Sequence, residues 1–405
     1  MSTDGTDSTD EARPTVECSK CELDVPAGDF CGWCGAHLDD EKSKGPKWLR
    51  IKAFSASPGE HLLTPNIASS LFPHLPPASR IVFMLGLGLL LAALVAATYF
   101  RLPAALITVA ALGLPLLFLI YLQEADVHRD IPSGTLVLTA ALGIGLGVGW
   151  VLLTGAAVAR SYGVPLGAGI SGFRMVRDGL GVPVGGMLLM VAPAVVVRLF
   201  RPGQREALDG FALGSLGALM FSGAATLTRL APQFATGMVA KARPMESLIV
   251  EAGIRGIAVP LTAACVGGLV GAALWFTRPS DKKQKGRNYV RLLLAIMAVA
   301  VIALYAVLGL VDVARVPQLL QLAVHLTIAV IALLALRVGL HLALLHEEHD
   351  EVHQDEPILC PHCGHVVPDM VFCVACGASM RAASRTSRQA RRDTRPVLAE
   401  PEAEP

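Results

Sequence analysis

Eight of the nine cysteines fall into two sets with the same internal spacing. Cys18, Cys21, Cys31 and Cys34 lie in CSKCELDVPAGDFCGWCGAHL, and Cys360, Cys363, Cys373 and Cys376 lie in CPHCGHVVPDMVFCVACGASM. Laid over one another without a gap, the stretches share nine of 21 positions: the four cysteines, Val25/Val367, Pro26/Pro368, Phe30/Phe372, Gly35/Gly377 and Ala36/Ala378. A CxxC turn aims two thiolates at one metal ion, and a second such turn completes a tetrahedron that suits Zn2+ at about 2.3 Å per bond. Gly35, Gly364 and Gly377 each follow such a turn, where the backbone often needs a positive φ. Phe30 and Phe372 are expected to supply the apolar contact of so small a unit. Four thiolates leave no coordination position open, so two structural Zn2+ sites are expected rather than catalytic ones. The competing chemistry, two disulfides per set, is disfavoured in the cytoplasm, where thiols are kept reduced.

The elements that carry these sets follow from composition. The chain has 405 residues, 53% hydrophobic and 17% charged, with a formal net charge of +1 and a mean hydropathy of +0.55. Soluble domains average about 25% charged residues, so an ordinary soluble enzyme is excluded, and the near-zero net charge makes no case for nucleic acid as a partner. Apolar runs of about 20 residues match a hydrocarbon core of about 30 Å. Eight are expected, at 81–100, 102–122, 135–158, 180–197, 211–228, 254–276, 292–311 and 316–336. An even number places both ends on one side of the lipid bilayer. The acidic start, MSTDGTDSTDEA, has no apolar core and is not read as a signal peptide. Loops on the side of the chain ends hold sixteen Lys and Arg, including Arg80, Arg129 and Arg198, against nine opposite, including Arg101, Arg229 and Arg255. The richer side faces the cytoplasm; Arg337 and the basic tail agree. The expectation is a multi-pass protein of the cell membrane with both termini cytoplasmic.

Several spans carry Gly or Pro: Gly143, Gly145, Gly147 and Gly149 in the third, Pro183 and Pro193 in the fourth, Pro260 in the sixth. Small residues let helices pack closely; the sharper alternative is broken helices lining a polar cavity, as in transporters. Glu124, Asp126, Glu206, Asp209 and Glu251 fall at span edges, where solvation is the default, and His325 lies deep in the last span, where a packed, hydrogen-bonded role is expected. Cys265 reads as packing. Beyond the last span, His346, His349 and His353 would share one face of a continuing helix. HEEH is not the HExxH of zinc proteases, so this segment reads as a solvated helix end. Six arginines between Arg381 and Arg395, among Ser, Thr, Ala and Gln, read as a disordered tail, with lipid or nucleic-acid contact as the alternative.

The cysteine pattern closely resembles the short zinc-ribbon domain at the ends of many bacterial membrane proteins. The membrane stretches resemble the PrsW family of intramembrane metalloproteases. Tyr121-Leu-Gln-Glu-Ala-Asp126-Val-His-Arg-Asp-Ile-Pro132 is similar to the family's aromatic–Asp–acidic–Pro segment. Ala192-Pro193-Ala-Val-Val-Val-Arg198 stands where the family has Pro, paired glutamates and Lys. Asp209-Gly210-Phe-Ala-Leu-Gly214, running on to Phe221-Ser-Gly-Ala-Ala225-Thr226, is similar to the DGxxxG helix that ends in Phe and a Glu-Asn pair, and Arg255 to Pro260-Leu-Thr-Ala-Ala stands where the family carries a His. The order of segments matches and covers most of 80–276. The departures fall on the chemistry: Val195 and Val196 replace the glutamates, Ala225 and Thr226 the Glu-Asn pair, and Thr262 or Ala263 the His. Valine and alanine neither bind a metal nor act as a base. The resemblance therefore implies a degenerate relative with the family's fold and no catalytic residues.

The reading is an all-α multi-pass membrane protein of about eight transmembrane helices with two small cytoplasmic zinc ribbons. Its parts are an acidic disordered 1–16, a ribbon at 17–38, a linker at 39–79, a PrsW-like domain at 80–345, a His/acidic segment at 346–358, a ribbon at 359–380 and a disordered tail at 381–405. The function expected is non-catalytic interaction or regulation, with a protein partner at the ribbons. Glu124, Asp126, Asp209 and His325 are the polar candidates for the alternative, an active protease; a transporter or channel is the third reading.

Overall fold

Runs of Leu, Ala, Val and Ile leave no water for their backbone amides, and helix pairs those groups within one segment. In the computed structural model, which describes residues 14–39, 54–73, 75, 77–161, 177–200, 206–236, 244–276, 287–313, 316–347 and 352–396, eight helices are long and apolar enough to cross a membrane. The chain starts with a hairpin, β1 (Thr15–Glu17) and β2 (Asp24–Pro26), and a short α1 (Ile67–Leu71) precedes the spans. The first three spans are α2 (Pro77–Tyr99), α3 (Pro103–Glu124) and α5 (Ser133–Ser161), with one turn, α4 (Val127–Asp130), between the last two. Next come α6 (Val182–Phe200), α7 (Ala207–Leu230), a span in which α8 (Met245–Glu251) runs on into α9 (Val259–Trp275), then α10 (Arg287–Val313) and α11 (Gln318–His346). A second hairpin, β3 (Pro357–Leu359) and β4 (Val366–Pro368), and a helix, α12 (Arg385–Asp393), are the last elements among the described residues. The fold is thus the expected multi-pass helical one, with a small cysteine-bearing unit near each end. Both hairpins are antiparallel in the same register, Val16 opposite Val25 and Ile358 opposite Val367.

Helix α7 is the axis of the bundle and is buried along most of its length. Its Gly210 and Gly214 meet Gly267 and Gly271 of α9, and a methyl group on any of the four would fall on a carbonyl of the facing helix. Such paired small-xxx-small patterns let two backbones touch in a membrane. On the other side of α7, a methyl on Gly143 or Gly147 of α5 would lie 2.5 Å from the carbonyl oxygen of Gly217 or Phe221, while Gly145 and Gly149 face open space. Close packing is therefore the role of Gly143 and Gly147 in that span. Phe72, Phe83, Phe118, Tyr121 and Phe211 form an aromatic cluster, with ring centroids 4.9 to 6.4 Å apart, that joins α2, α3 and α7 to the end of α1.

Three expectations about the ends of the chain are corrected. Residues 54–73, read as linker, are folded onto α11. Arg337, counted with the cytoplasmic charges, sits inside α11 with no exposed surface. Its Nε donates to the Leu62 carbonyl at 2.9 Å, Nη1 to the Ser69 and Ser70 hydroxyls at 2.6 and 3.2 Å, and Nη2 to Glu60 at 2.9 Å. The Phe54 ring lies 4.2 Å from the guanidinium carbon. Next, α11 stops at His346, so the three histidines do not share a helix face: His353 is non-helical, and His349 lies outside the described residues. Last, the arginine tail read as disordered contains α12, whose Arg388 is buried. Acidic partners far away in sequence explain the first and last of these changes.

Candidate metal centres

Each cysteine set brings its four sulfurs within 4.8 Å of one another. Sγ of Cys18 lies 3.7 Å from that of Cys34, Cys21 3.7 Å from Cys31, Cys360 3.8 Å from Cys376 and Cys363 3.8 Å from Cys373. A tetrahedron with arms of about 2.3 Å has edges of about 3.8 Å, whereas a disulfide brings its sulfurs to about 2.05 Å. The geometry is that of two four-thiolate metal sites. Sulfur hydrogen bonding from Cys34 pulls Cys31 down to about 5, and burial pushes Cys21 up to about 11. Sulfur contacts with Cys373 and Cys376 likewise hold Cys360 well below the usual thiol range, and contact with Cys360 raises Cys373 to about 12. A metal ion replaces these shared protons.

The four CxxC turns are alike in backbone. The amide four residues after the first cysteine of each turn donates back to that cysteine's carbonyl: Glu22 to Cys18, Gly35 to Cys31, Gly364 to Cys360, Gly377 to Cys373. That fourth residue has φ of +59°, +66°, +73° and +75° respectively. Glycine fills three of the positions, as the sequence predicts, and Glu22 fills the fourth, which the sequence alone does not reveal.

The two ribbons bind each other around a local two-fold relation. Phe30 N donates to the Val374 carbonyl at 2.9 Å, and Phe372 N donates to the Gly32 carbonyl, its equivalent, at 2.8 Å. A methyl on Gly377 would stand 2.7 Å from the Phe30 ring, and one on Gly35 2.7 Å from the Phe372 ring. Each phenylalanine, expected to fill its own ribbon, therefore packs over the last turn of the other. Such a contact, in which the same patch serves on both sides, is the arrangement of an isologous dimer.

The pair sits on the bundle through the C-terminal ribbon. Ser379 N donates to the Ser55 carbonyl at 2.8 Å, and Ser55 in turn bonds His341 of α11 through its hydroxyl at 2.8 Å. Ala382 belongs to the main apolar core. Beyond it, Arg388 Nη2 reaches Glu206 at 2.8 Å and Arg385 Nε reaches it at 3.1 Å. Arg381 lies 3.6 Å from both Glu206 and Glu347. Glu347 also accepts the Ala207 amide at 2.7 Å, capping α7, and Asp130 accepts the Arg385 and Thr386 amides at the start of α12. Arg392 closes on Asp369 at 2.8 Å. Burial pushes Glu206 up, but Arg388, Arg381 and Arg385 together hold it below the ordinary carboxylate value. Arg385 is raised in spite of burial, because Glu206 faces it. Burial, then Arg388, pushes Arg391 down to about 10.

The opposite end of the bundle holds a partly open cavity of about 430 Å³. Six spans contribute: α5 with Trp150, α6 with Met187 and Met190, α7 with Phe221 to Leu230, α8–α9 with Glu251, Arg255 and Ala263, α10 with Tyr305, and α11 with Gln318 and His325.

The polar candidates from the sequence do not converge. Glu124 is exposed and accepts from Ser79 Oγ at 2.7 Å, and Asp126 pairs with Arg129 at 3.2 Å. Asp209 and Glu206, expected to be solvated, are both buried at the ribbon end, while His325 is buried at the cavity end. Glu251 is half-buried in the cavity wall, 3.4 Å from Gln233 Nε2. Of the positions singled out by the PrsW resemblance, Ala225, Thr226 and Ala263 line the cavity. Among the described residues, the groups of three or more His, Cys, Asp and Glu placed to hold a metal are the two cysteine sets. The acidic receptors Asp130, Glu206, Glu347 and Asp369 are not legible as such in the sequence. The available signal is a tail rich in Arg rather than Lys, the cation whose fork suits buried carboxylates. Comparison with protein-family models, curated proteins and solved structures finds no match.

Proposed function

We propose that this chain is a non-catalytic interaction or regulatory protein of the cell membrane, in which two paired zinc ribbons form a rigid cytoplasmic cap that binds a protein partner. The carrying observation is the reciprocal pairing of two four-thiolate sites with their docking on Glu206, Glu347 and Asp130. Four soft ligands in a tetrahedron favour Zn2+ and leave it no open position for substrate. The positive-inside rule supports the cytoplasmic side for the cap. The order of segments supports a degenerate PrsW-like membrane domain, and alanine and threonine at the cavity positions of the resemblance support the loss of its chemistry. For a partner the cap offers Val16 and Leu23 on one hairpin and Leu359 and Val366 on the other, all about half exposed. Metal analysis of the purified full chain is expected to give two zinc ions, with Cys18→Ser and Cys360→Ser each removing one; protein that carries no zinc overturns the assignment. A photo-crosslinker at Leu23 or Leu359 is expected to give one discrete adduct in cells, absent in Cys18→Ser. No adduct at either position would count against a partner on this face.

A further inference from the structure

The cavity opposite the ribbons has the features of a ligand site. Its volume of about 430 Å³ lies in the range of pockets that take small molecules, which are mostly apolar with a few convergent polar groups. Met187, Met190, Phe221, Val259 and Leu308 supply the apolar wall. Among the described lining residues, two guanidinium groups, Arg229 and Arg255, accompany one carboxylate, Glu251, whose side chain takes a hydrogen bond from Gln233. Arg255 is half-buried, and no described carboxylate forms an ion pair with it. Tyr305, Gln318 and Gln321 line the same space.

The backbone singles out the same place. Two π-helical stretches occur among the described residues, Arg177–Gly181 and Ala252–Ala258. The second carries Arg255 and Ile254 on the cavity wall, and the first runs directly into Val182 and Pro183, also on the wall. Widened turns of this kind interrupt the helical ladder and concentrate at functional sites. Pro183 and Pro260, read in the sequence as packing or as breaks, lie just after these stretches.

We propose that this cavity binds a single-chain amphiphile with one anionic head group, a carboxylate or phosphate, held by Arg255 while its chain lies against Met187, Met190 and Phe221. A charged head in a partly buried pocket needs a cation able to donate two hydrogen bonds, which a guanidinium provides. The chain needs an apolar wall open to a protein surface that already lies in lipid. This inference does not rest on the zinc reading.

Trp150 in the wall gives a local readout. The full chain in zwitterionic micelles is titrated with 9,10-dibromostearate, whose bromines quench indole fluorescence on contact. Saturable quenching is expected, and it is lost in Trp150→Phe. Arg255→Gln should weaken binding about tenfold, the methyl ester of the probe should bind at least about tenfold more weakly than the acid, and Ala263→Leu should weaken it by filling the wall. A brominated lysophosphatidate tests the phosphate head, and acetate and glycerol 3-phosphate, as competitors, test a soluble acid. Equal binding of acid and ester, or unchanged binding in Arg255→Gln, overturns the proposal. Competition by the short acids as strong as by stearate overturns the amphiphile. Helix content and zinc content of each variant separate misfolding from lost binding.

Discussion

The two ribbons share a spacing, a hairpin register and a reciprocal interface, yet they are held differently. The C-terminal ribbon is tied to the bundle by Ser379, Arg381, Arg385 and Arg388, and Ala382 enters the main core. The N-terminal ribbon is bonded to its twin through Phe30 and Gly32. One serves as foundation and the other is seated on it. Equal sequence motifs can thus have unequal structural weight: the second is followed by a basic helix, α12, that anchors it on Glu206 and Asp130.

The largest effect should come from breaking this asymmetry at the metal. Cys360→Ser and Cys18→Ser are each expected to lose one metal ion, but with different consequences. Loss of the Cys360 site unseats α12 and frees Glu206, Asp130 and Glu347, so trypsin should cut at Arg388 and Arg392 and the membrane domain should melt earlier. Loss of the Cys18 site should leave α12 protected. Equal proteolysis in the two variants would break the comparison.

Next in size is Glu206→Gln. Removing one partner from a buried ion pair costs about 3–5 kcal/mol, because the remaining charge is left uncompensated, and here three arginines lose the same acceptor. The sign with pH comes from the lowered value of Glu206. A carboxylate with a depressed folded value adds stability that is complete above its ordinary value of about 4.3 and is lost as pH falls through the folded value. Acid unfolding of the wild type should therefore show a steep loss below that value, and the slope should be shallower in Glu206→Gln. Identical acid profiles would remove Glu206 from the clamp.

A smaller pair of substitutions separates the turn from the interface. Gly364 and Gly377 both have positive φ, but alanine at Gly364 meets open space whereas alanine at Gly377 meets the Phe30 ring. The left-handed conformation alone costs about 1–2 kcal/mol for a side chain. Gly364→Ala should show that cost alone. Gly377→Ala should exceed it and also loosen the N-terminal ribbon, read as faster chelation of the first metal. Equal chelation rates at the first site in the two variants would mean that the ring contact contributes nothing.

Local patterns make the spans and the cysteine sites legible: apolar length predicts the first and CxxC spacing the second. The features that escape such a reading depend on partners distant in sequence. Arg337 looks like a loop charge until Glu60, 277 residues away, meets it. Six arginines with no apolar periodicity look disordered until Glu206 receives three of them and Asp369 two. The cavity is not legible as one site in the sequence: Glu251, Arg255 and His325 stand out singly, and no local window contains two walls of it. The glycines divide likewise: Gly143 and Gly147 pack on α7 while Gly145 and Gly149 do not, a distinction set by helix rotation.

The smallest effect tests the one residue that departs from the ribbon pattern. Glu22 holds φ +59°, the conformation for which the other three turns use glycine. Relief of that conformation is worth about 1–2 kcal/mol, while the extra freedom glycine brings to the unfolded chain takes back roughly 0.5–1 kcal/mol. Glu22→Gly should therefore stabilise the first ribbon by up to about 1 kcal/mol. Its side chain is exposed, so little packing is lost to offset the gain. The measurement is release of each metal to a chelator: the Cys18 site should slow several-fold while the Cys360 site is unchanged. Slowing at both sites would show that the ribbons open as one unit, so the seated ribbon and its foundation would share a single opening step. No change at either would mean that Glu22 gains from its side chain what its backbone loses.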